Sequence, residues 1–399
     1  MEGWDGTALT ASPFRIRQFR VNKMPKTETA SSPNRQPGKV RVLRLLIAGG
    51  GTGGHLYPGI AVAQTLAKRY PGAEIQFVGS GRPLEARILK EAGYRLNTLP
   101  VSGLKGVGGM NLIRGILRLP GSLWAAWRIV RRFRPSVVLG VGGYSSGPPV
   151  LVASLAGVPT LLHESNAQPG ITNRLLSSFS RKVTTAFPEC ETFFRGKAVL
   201  TGTPVRPEFL ARPTKPPERP FVLLIFGGSQ GARAINRAAV DALDGLRPKF
   251  RQMQFIHQTG EQDFAQVEQA YRDAGARALV KPFFTDMPSQ FPKAHLVLCR
   301  AGAATLGELT AARKASLLVP FPGATDNHQL RNAESLADAG AAEVIRQEEL
   351  SGKLLARRVA HYYGHPEELE RMEVRSGRLA RPDSAQKIVD LIGSLAGLG

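Results

Sequence analysis

Residues 45–60 read LLIAGGGTGGHLYPGI, and the fold is decided there. Leu45 to Ala48 is a short apolar run of strand length. Five glycines follow within six residues, then His55, then a stretch from Ile60 to Arg69 with helical apolar spacing. Glycine accepts positive φ and lets the backbone close on a ligand. A helix starting behind such a loop points unbonded N–H groups and its positive dipole end at whatever the loop holds. The run therefore predicts a strand, a glycine loop and a helix, with an anionic guest, a phosphate above all. His55 adds a group that exchanges a proton near neutral pH. An isolated histidine is usually structural, but this one stands at a strand's carboxyl end, where ligands bind in such folds.

Outward from that run, strands alternate with helices. Strands are predicted at 43–48, 75–78, 136–140, 159–162 and 182–185, with helices such as 58–69 and 83–92 between them. Buried apolar strands separated by helices predict a parallel sheet covered on both faces. Residues 206–220 hold five prolines in fifteen positions and read as a linker. The plan then restarts with FVLLIFGGSQGARAINRAAVDAL, 221–243, and further strands are predicted at 253–257, 278–281, 295–299 and 316–319. The expected architecture is α/β: two tandem Rossmann-like domains facing across a cleft. The expected boundaries are 1–40 for a basic extension, 41–205 for the first domain, 206–220 for the linker, 221–380 for the second domain and 381–399 for a C-terminal helix returning to the first. The extension is basic and rich in Ser, Thr and Pro. It reads as a disordered tail, or as sequence upstream of an internal start at Met24.

Composition bounds the function. The chain of 399 residues is 42% hydrophobic with two cysteines, Cys190 and Cys299, too few for a disulfide framework, so it reads as reduced and intracellular. No run approaches the length of a membrane-spanning helix, and the first forty residues lack the apolar core of a secretory signal. The net charge of +22 is one-sided: residues 1–200 hold 27 Lys+Arg against 9 Asp+Glu, and residues 201–399 hold 26 against 22. A basic first half points to an anionic partner: membrane, nucleic acid or phosphorylated substrate.

Gly49, Gly51 and Gly54 satisfy GxGxxG, but the second predicted strand ends Phe77-Val78-Gly79-Ser80, without the acidic residue that a dinucleotide ribose requires. GVGGYSSGPP (140–149) and HESNAQPGITN (163–173) are two more polar strand exits. Ordinary turn chemistry accounts for each alone; three in one domain make a ligand face. In the second half, GGSQG (227–231) and CRAGAATLGELT (299–310) open further helices. Glu308 lies one turn inside its helix, where a carboxylate gains from the dipole and also suits a ribose diol. PFPGATDNHQLRNA (320–333) supplies Asp326, Asn327, His328 and Gln329 as hydrogen-bonding groups for a sugar. No Asp-x-Asp, HExxH or CxxC occurs, so no metal site or cofactor is expected. Residues 111–134, broken at Pro120, place Leu112, Ile116 and Leu119 on one face and Leu123, Trp127 and Val130 on another. Arg114, Arg118, Arg128, Arg131, Arg132 and Arg134 lie opposite. This is a sheet-packing helix with a solvated basic face, or a contact with an anionic membrane surface.

Seven motifs in order, GGGTGGHLYPGIAVA, GGYSSGP, LLHESN, TGTPVR, GGSQGA, RAGAATLGEL and PFPGATDNHQLRNA, resemble the MurG family of peptidoglycan glycosyltransferases from about residue 42 onward. The resemblance implies a GT-B fold. It implies inverting transfer of N-acetylglucosamine from UDP-N-acetylglucosamine to the 4-hydroxyl of N-acetylmuramyl-pentapeptide on undecaprenyl diphosphate, at the cytoplasmic face of the bacterial inner membrane. It maps donor contacts onto Thr52, Gly53, Gly54, Asn166, Arg206 and Ser229, the uracil contact onto the Phe284 backbone, the diphosphate and ribose onto Ala303, Ala304, Thr305, Leu306, Gly307 and Glu308, and the donor sugar onto Gln329. His55 is the expected general base, with Glu164 as the second candidate. The competing readings are another GT-B glycolipid glycosyltransferase, a UDP-sugar epimerase, and a non-enzymatic nucleic-acid binder. The GGYSSGP and HESN loops argue against the first two. For the third, only 7% of residues are aromatic and no RNA module is visible, so no nucleic-acid partner is expected.

Overall fold

The computed structural model describes residues 42–50, 53–100, 109–210 and 219–398, without the side chains of 109–118. The first half runs β1 (Arg44–Ala48), α1 (Gly53–Arg69), β2 (Glu74–Gly79), α2 (Pro83–Glu91), β3 (Arg95–Thr98), α3 (Gly109–Phe133), β4 (Val137–Gly140), α4 (Gly147–Leu155), β5 (Thr160–Glu164), α5 (Ile171–Leu176), β6 (Lys182–Thr185) and β7 (Ala198–Leu200). The second runs β8 (Phe221–Phe226), α6 (Arg233–Asp241), α7 (Leu243–Leu246), β9 (Met253–Gln258), α8 (Phe264–Asp273), β10 (Ala278–Lys281), β11 (Leu296–Cys299), α9 (Ala303–Ala311), β12 (Ser316–Leu318), α10 (His328–Asp338), β13 (Glu343–Val344), α11 (Gly352–Gly364), α12 (Pro366–Leu379) and α13 (Ser384–Leu395).

Two parallel sheets result, in the orders β3-β2-β1-β4-β5-β6-β7 and β10-β9-β8-β11-β12-β13. Each order reverses once, between β1 and β4 and between β8 and β11. A crevice opens there beyond the strand carboxyl ends, because successive helices cross to opposite faces. In register, Ala48 pairs with Gly140, and Phe226 with Cys299. The glycine-rich segments after these strands therefore stand side by side at the two crevices.

Alternation along β1 explains the first core. Leu45 and Ile47 join the layer under α1 and α13, whereas Leu46 and Ala48 join the layer under α3 and α4. In α13, Ile388, Val389 and Ile392 are fully buried in that first core. Each such side chain contributes about 1.5–3 kcal/mol. Ser384 Oγ also donates to the Gly202 carbonyl at 2.7 Å. The last helix of the chain thus ties its end to the first sheet.

The structure departs from the sequence reading in places. Helix α1 starts at Gly53, not near residue 58, so His55 stands on a helix's first turn rather than in the loop. Helix α3 is not broken at Pro120 but continuous, because one proline removes a single backbone hydrogen bond from twenty-five residues. Its buried line is Ser122, Ala126, Val130 and Phe133, at helical spacing. Trp127, expected beside Val130, points outward instead and is 44% exposed. Leu112, Arg114, Ile116 and Arg118 lie outside the described side chains. Strands β3, β7 and β13 were not expected. They are short, half-exposed sheet edges; β3 and β13 lack an apolar run, and β7 is only the three residues Ala198-Val199-Leu200.

Candidate active site

At the first crevice, Gly142 and Gly143 have φ of +95° and +78°. A Cβ on Gly142 would lie 3.0 Å from His55 Cδ2 and 3.2 Å from Nε2, and one on Gly143 would lie 2.8 Å from the Gly50 carbonyl. Both glycines are needed twice over, for conformation and for close approach. His55 is half-buried, and its ring hydrogen-bonds the Gly50 backbone. Burial, and secondarily His328, hold its pKa below the usual imidazole value, while the Gly50 bond opposes them. The ring is therefore an unprotonated base at neutral pH.

Two more histidines flank it. His163 Nδ1 lies 3.0 Å from Thr184 Oγ1, whose own proton goes to the Leu162 carbonyl at 3.1 Å. The hydroxyl must accept from His163, so Nδ1 carries the hydrogen and Nε2 is a bare acceptor. That buried Nε2 has no partner among the described residues. Burial, and then the nearby His55, push the His163 pKa to about 3, so it stays neutral. His328, on the second domain, has Nδ1 2.7 Å from the Thr325 carbonyl. A carbonyl only accepts, so Nδ1 of His328 carries a hydrogen.

Glu164 is 3% exposed, and burial raises its pKa. Its Oε1 accepts from the Asn166 N–H and Nδ2 (3.0 and 3.1 Å), and its Oε2 from the Gly170 N–H and Asn173 Nδ2 (3.0 and 2.9 Å). All four acceptor positions are in use, so the carboxylate holds the 165–173 loop in shape. Asn166 turns its Oδ1 to Asn332 Nδ2 at 3.1 Å, and the fully buried Asn332 accepts the Ala167 N–H at 2.8 Å. Asn332 is on α10, so this amide pair joins the two domains.

The second crevice holds the other predicted residues. Ser229 is half-buried in the GGSQG loop. Gly231, at φ +75°, leaves only 1.8 Å between a built Cβ and the Thr259 carbonyl. Gln258, missed by sequence reasoning, donates to the Gly228 carbonyl at 2.9 Å and accepts the Phe284 N–H at 2.8 Å. Phe284 thus offers only its carbonyl to a ligand. The α9 N-terminus is open at Ala303, Ala304 and Thr305, whereas the Leu306 N–H already bonds Gly302 and the Leu306 side chain is in the core. Gly307 packs on Thr203, 2.9 Å from a built Cβ. Gln329 accepts the Phe321 N–H through Oε1 at 3.0 Å, a bond that does not use its amide donor.

Arg206 and Glu308 meet at 3.2 Å, with side chains 17% and 11% exposed. The guanidinium also lies 4.4 Å over the Tyr57 ring and 4.9 Å over Phe209. Burial outweighs Arg206 and raises the Glu308 carboxyl to about 7. Tyr57 in turn lies against Gly53, on the first turn of α1 beside Gly54. The structure thus brings together His55, Gly53, Glu164 and Asn166 on one wall and Glu308 and Gln329 on the other, with Arg206 reaching across. Thr52 lies outside the described residues. Glu85 was also missed: buried under Gly50, it accepts from Ser80 Oγ at 2.7 Å and from the Gly81 N–H at 2.8 Å. A single acidic residue on an amphipathic helix carries no sequence signal for such a role.

Comparison with known proteins identifies the family. Residues 45–185 match the glycosyltransferase family 28 N-terminal domain, and residues 222–388 its C-terminal domain. A UDP-N-acetylglucosamine–N-acetylmuramyl-(pentapeptide) pyrophosphoryl-undecaprenol N-acetylglucosamine transferase from Myxococcus xanthus is 46% identical over 354 residues, covering 88% of this chain and 92% of the relative. The enzyme of that name from Syntrophus aciditrophicus is 44% identical, covering 87% and 97%. The crystal structure of Acinetobacter baumannii MurG superposes with a TM-score of 0.70 at 31% identity, covering 88% of this chain and 99% of that one. With both crevices built from matched residues, this chain belongs to the MurG family of glycosyltransferases.

Proposed function

We propose that this chain transfers N-acetylglucosamine from UDP-N-acetylglucosamine to the 4-hydroxyl of undecaprenyl-diphosphate-linked N-acetylmuramyl-pentapeptide, a step of peptidoglycan synthesis. The observation that carries the reading is the match, along both domains, to transferases named for this reaction.

The acceptor hydroxyl attacks the anomeric carbon from the face opposite the phosphate, so configuration inverts. The hydroxyl proton passes to His55, and UDP departs with the bonding electrons. Burial favours the neutral form of His55, as a base requires. The space that Gly142 leaves beside Nε2 suits an approaching hydroxyl. Glu164 serves as the positioning residue of the acceptor loop, because its oxygens are already committed. The amides of Ala303, Ala304 and Thr305, with the α9 dipole and the GGSQG loop, receive the growing charge on the diphosphate. Glu308 takes the ribose, the Phe284 carbonyl the uracil, and Gln329 the sugar.

The chain works at an anionic membrane surface. Among the described residues no helix is long and apolar enough to cross a membrane. Helix α3 exposes Leu119, Trp124 and Trp127, with Arg128 4.7 Å over the Trp124 ring and Arg131 5.0 Å over Trp127. Amphipathic rings beside arginines suit the headgroup region of a bilayer. The direct test is incubation with radiolabelled UDP-N-acetylglucosamine and a short-chain lipid acceptor. Label should enter a β-linked disaccharide lipid; hydrolysis or epimerisation of the donor without transfer would overturn the reading.

A further inference from the structure

Arg87 stands exposed on α2, one helical turn before Glu91. That spacing favours an ion pair along the helix, yet among the described residues Arg87 makes none. Its guanidinium instead reaches the second domain, 5.1 Å over the ring of Phe283, next to Phe284. Phe284 supplies the backbone carbonyl assigned above to the uracil, so Arg87 stands beside the proposed nucleotide site.

Charge balance gives this placement a use. The leaving nucleotide carries several negative charges, and the α9 dipole supplies roughly half a charge. Arg206 is already engaged by Glu308 at 3.2 Å, Arg233 is paired with Asp263 at 3.5 Å, and Arg300 is held by the Val319 and Pro320 carbonyls and Gln347. Lys281, 5.5 Å over the Phe284 ring, belongs to the same domain as the nucleotide site. Among the described residues, Arg87 is a cation without an ion pair that reaches the second domain from the opposite wall.

We propose that Arg87 is a ligand of the donor diphosphate, delivered by the N-terminal domain, and that it exchanges the Phe283 ring for phosphate oxygens when nucleotide binds. The proposal rests on the nucleotide site described above. A cation–π contact at an exposed site is weak beside a charge-assisted bond to phosphate, so the exchange runs toward the ligand. It would also draw the acceptor domain over the donor.

The test is calorimetric titration of the full chain with UDP and with uridine, for wild type, Arg87→Gln and Arg87→Lys. Arg87→Gln should bind UDP roughly three- to thirtyfold more weakly at low salt, with uridine binding unchanged. Arg87→Lys should recover part of the loss, and the deficit should shrink as salt rises. Equal losses for UDP and uridine would show that Arg87 acts on the base through Phe283, and would overturn the proposal. So would unchanged UDP binding in Arg87→Gln. A wild type that binds no UDP would overturn the nucleotide site itself, and this proposal with it.

Discussion

Glu308→Gln tests the electrostatics of the cleft, because two effects oppose each other at that carboxylate. It is 8% exposed, which disfavours charge, and 3.2 Å from Arg206, which favours it. Burial prevails, and the carboxyl moves from 4.5 to about 7. The sign follows from linkage. A carboxyl whose folded value lies above its unfolded value holds its proton more tightly in the fold, so its stabilisation is complete below about pH 4.5 and is lost as pH rises through about 7. The gap corresponds to roughly 3 kcal/mol, at about 1.4 kcal/mol per pH decade. Glutamine keeps the shape and does not titrate. Between about pH 5 and about pH 8, wild type should therefore lose roughly 2–3 kcal/mol relative to the variant. This is a shift of several degrees in thermal melting, about 2–4 °C per kcal/mol at most for a chain of this size. Melts of both proteins across that range measure it. Parallel curves would refute the claim that burial outweighs Arg206. At about pH 8 the same variant should bind UDP roughly ten- to a hundredfold more weakly, since a charge-assisted bond to ribose is lost; unchanged affinity would remove Glu308 from the ribose.

His55→Ala should lower turnover roughly 10²–10⁴-fold while UDP affinity, measured by calorimetry, survives. Because His55 is held below the ordinary imidazole value, the acid limb of the wild-type rate profile should fall below about pH 6.5; a limb that persists in the variant would exclude His55 as the base. Gly142→Ala should abolish most transfer, since the new Cβ meets the His55 ring at 3.0 Å in a left-handed conformation costing about 1–2 kcal/mol; full activity would show that the loop does not shape the base. Replacing Arg128, Arg131, Arg132 and Arg134 by Gln should weaken sedimentation with anionic vesicles, by about 1 kcal/mol for each residue near the surface, and leave turnover of a short-chain soluble acceptor intact. Equal losses on both would refute the membrane role of α3.

Much of the site was legible as a set of strand exits. Apolar strands followed by glycine runs marked both crevices, because close backbone approach and positive φ restrict those positions to glycine whatever surrounds them. The edges were not legible: Arg95-Leu96-Asn97-Thr98 becomes β3 by pairing with β2, not through its own pattern. The outward face of Trp127 is not legible either, since several helical stripes of α3 share residues of similar hydrophobicity and only the docked sheet selects one. Glu85, Gln258 and Asn332 escaped notice because a lone polar residue reveals its partners only after folding.

The sequence by itself determined the two repeated strand, loop and helix units, the ordered motifs and the charge asymmetry, since these depend on local conformation and composition. The tertiary structure alone decided which groups meet. Arg206 and Glu308 are 102 positions apart, and Asn166 and Asn332 are 166 apart. Their contacts arise only when two separately folded sheets close on each other. Protonation was settled at the same level, as burial and neighbouring charge act through space. That is why Glu164, an acceptor by residue type, is spent on its own loop, and why His55 stands neutral beside Gly142 and Gly143, far along the chain from it.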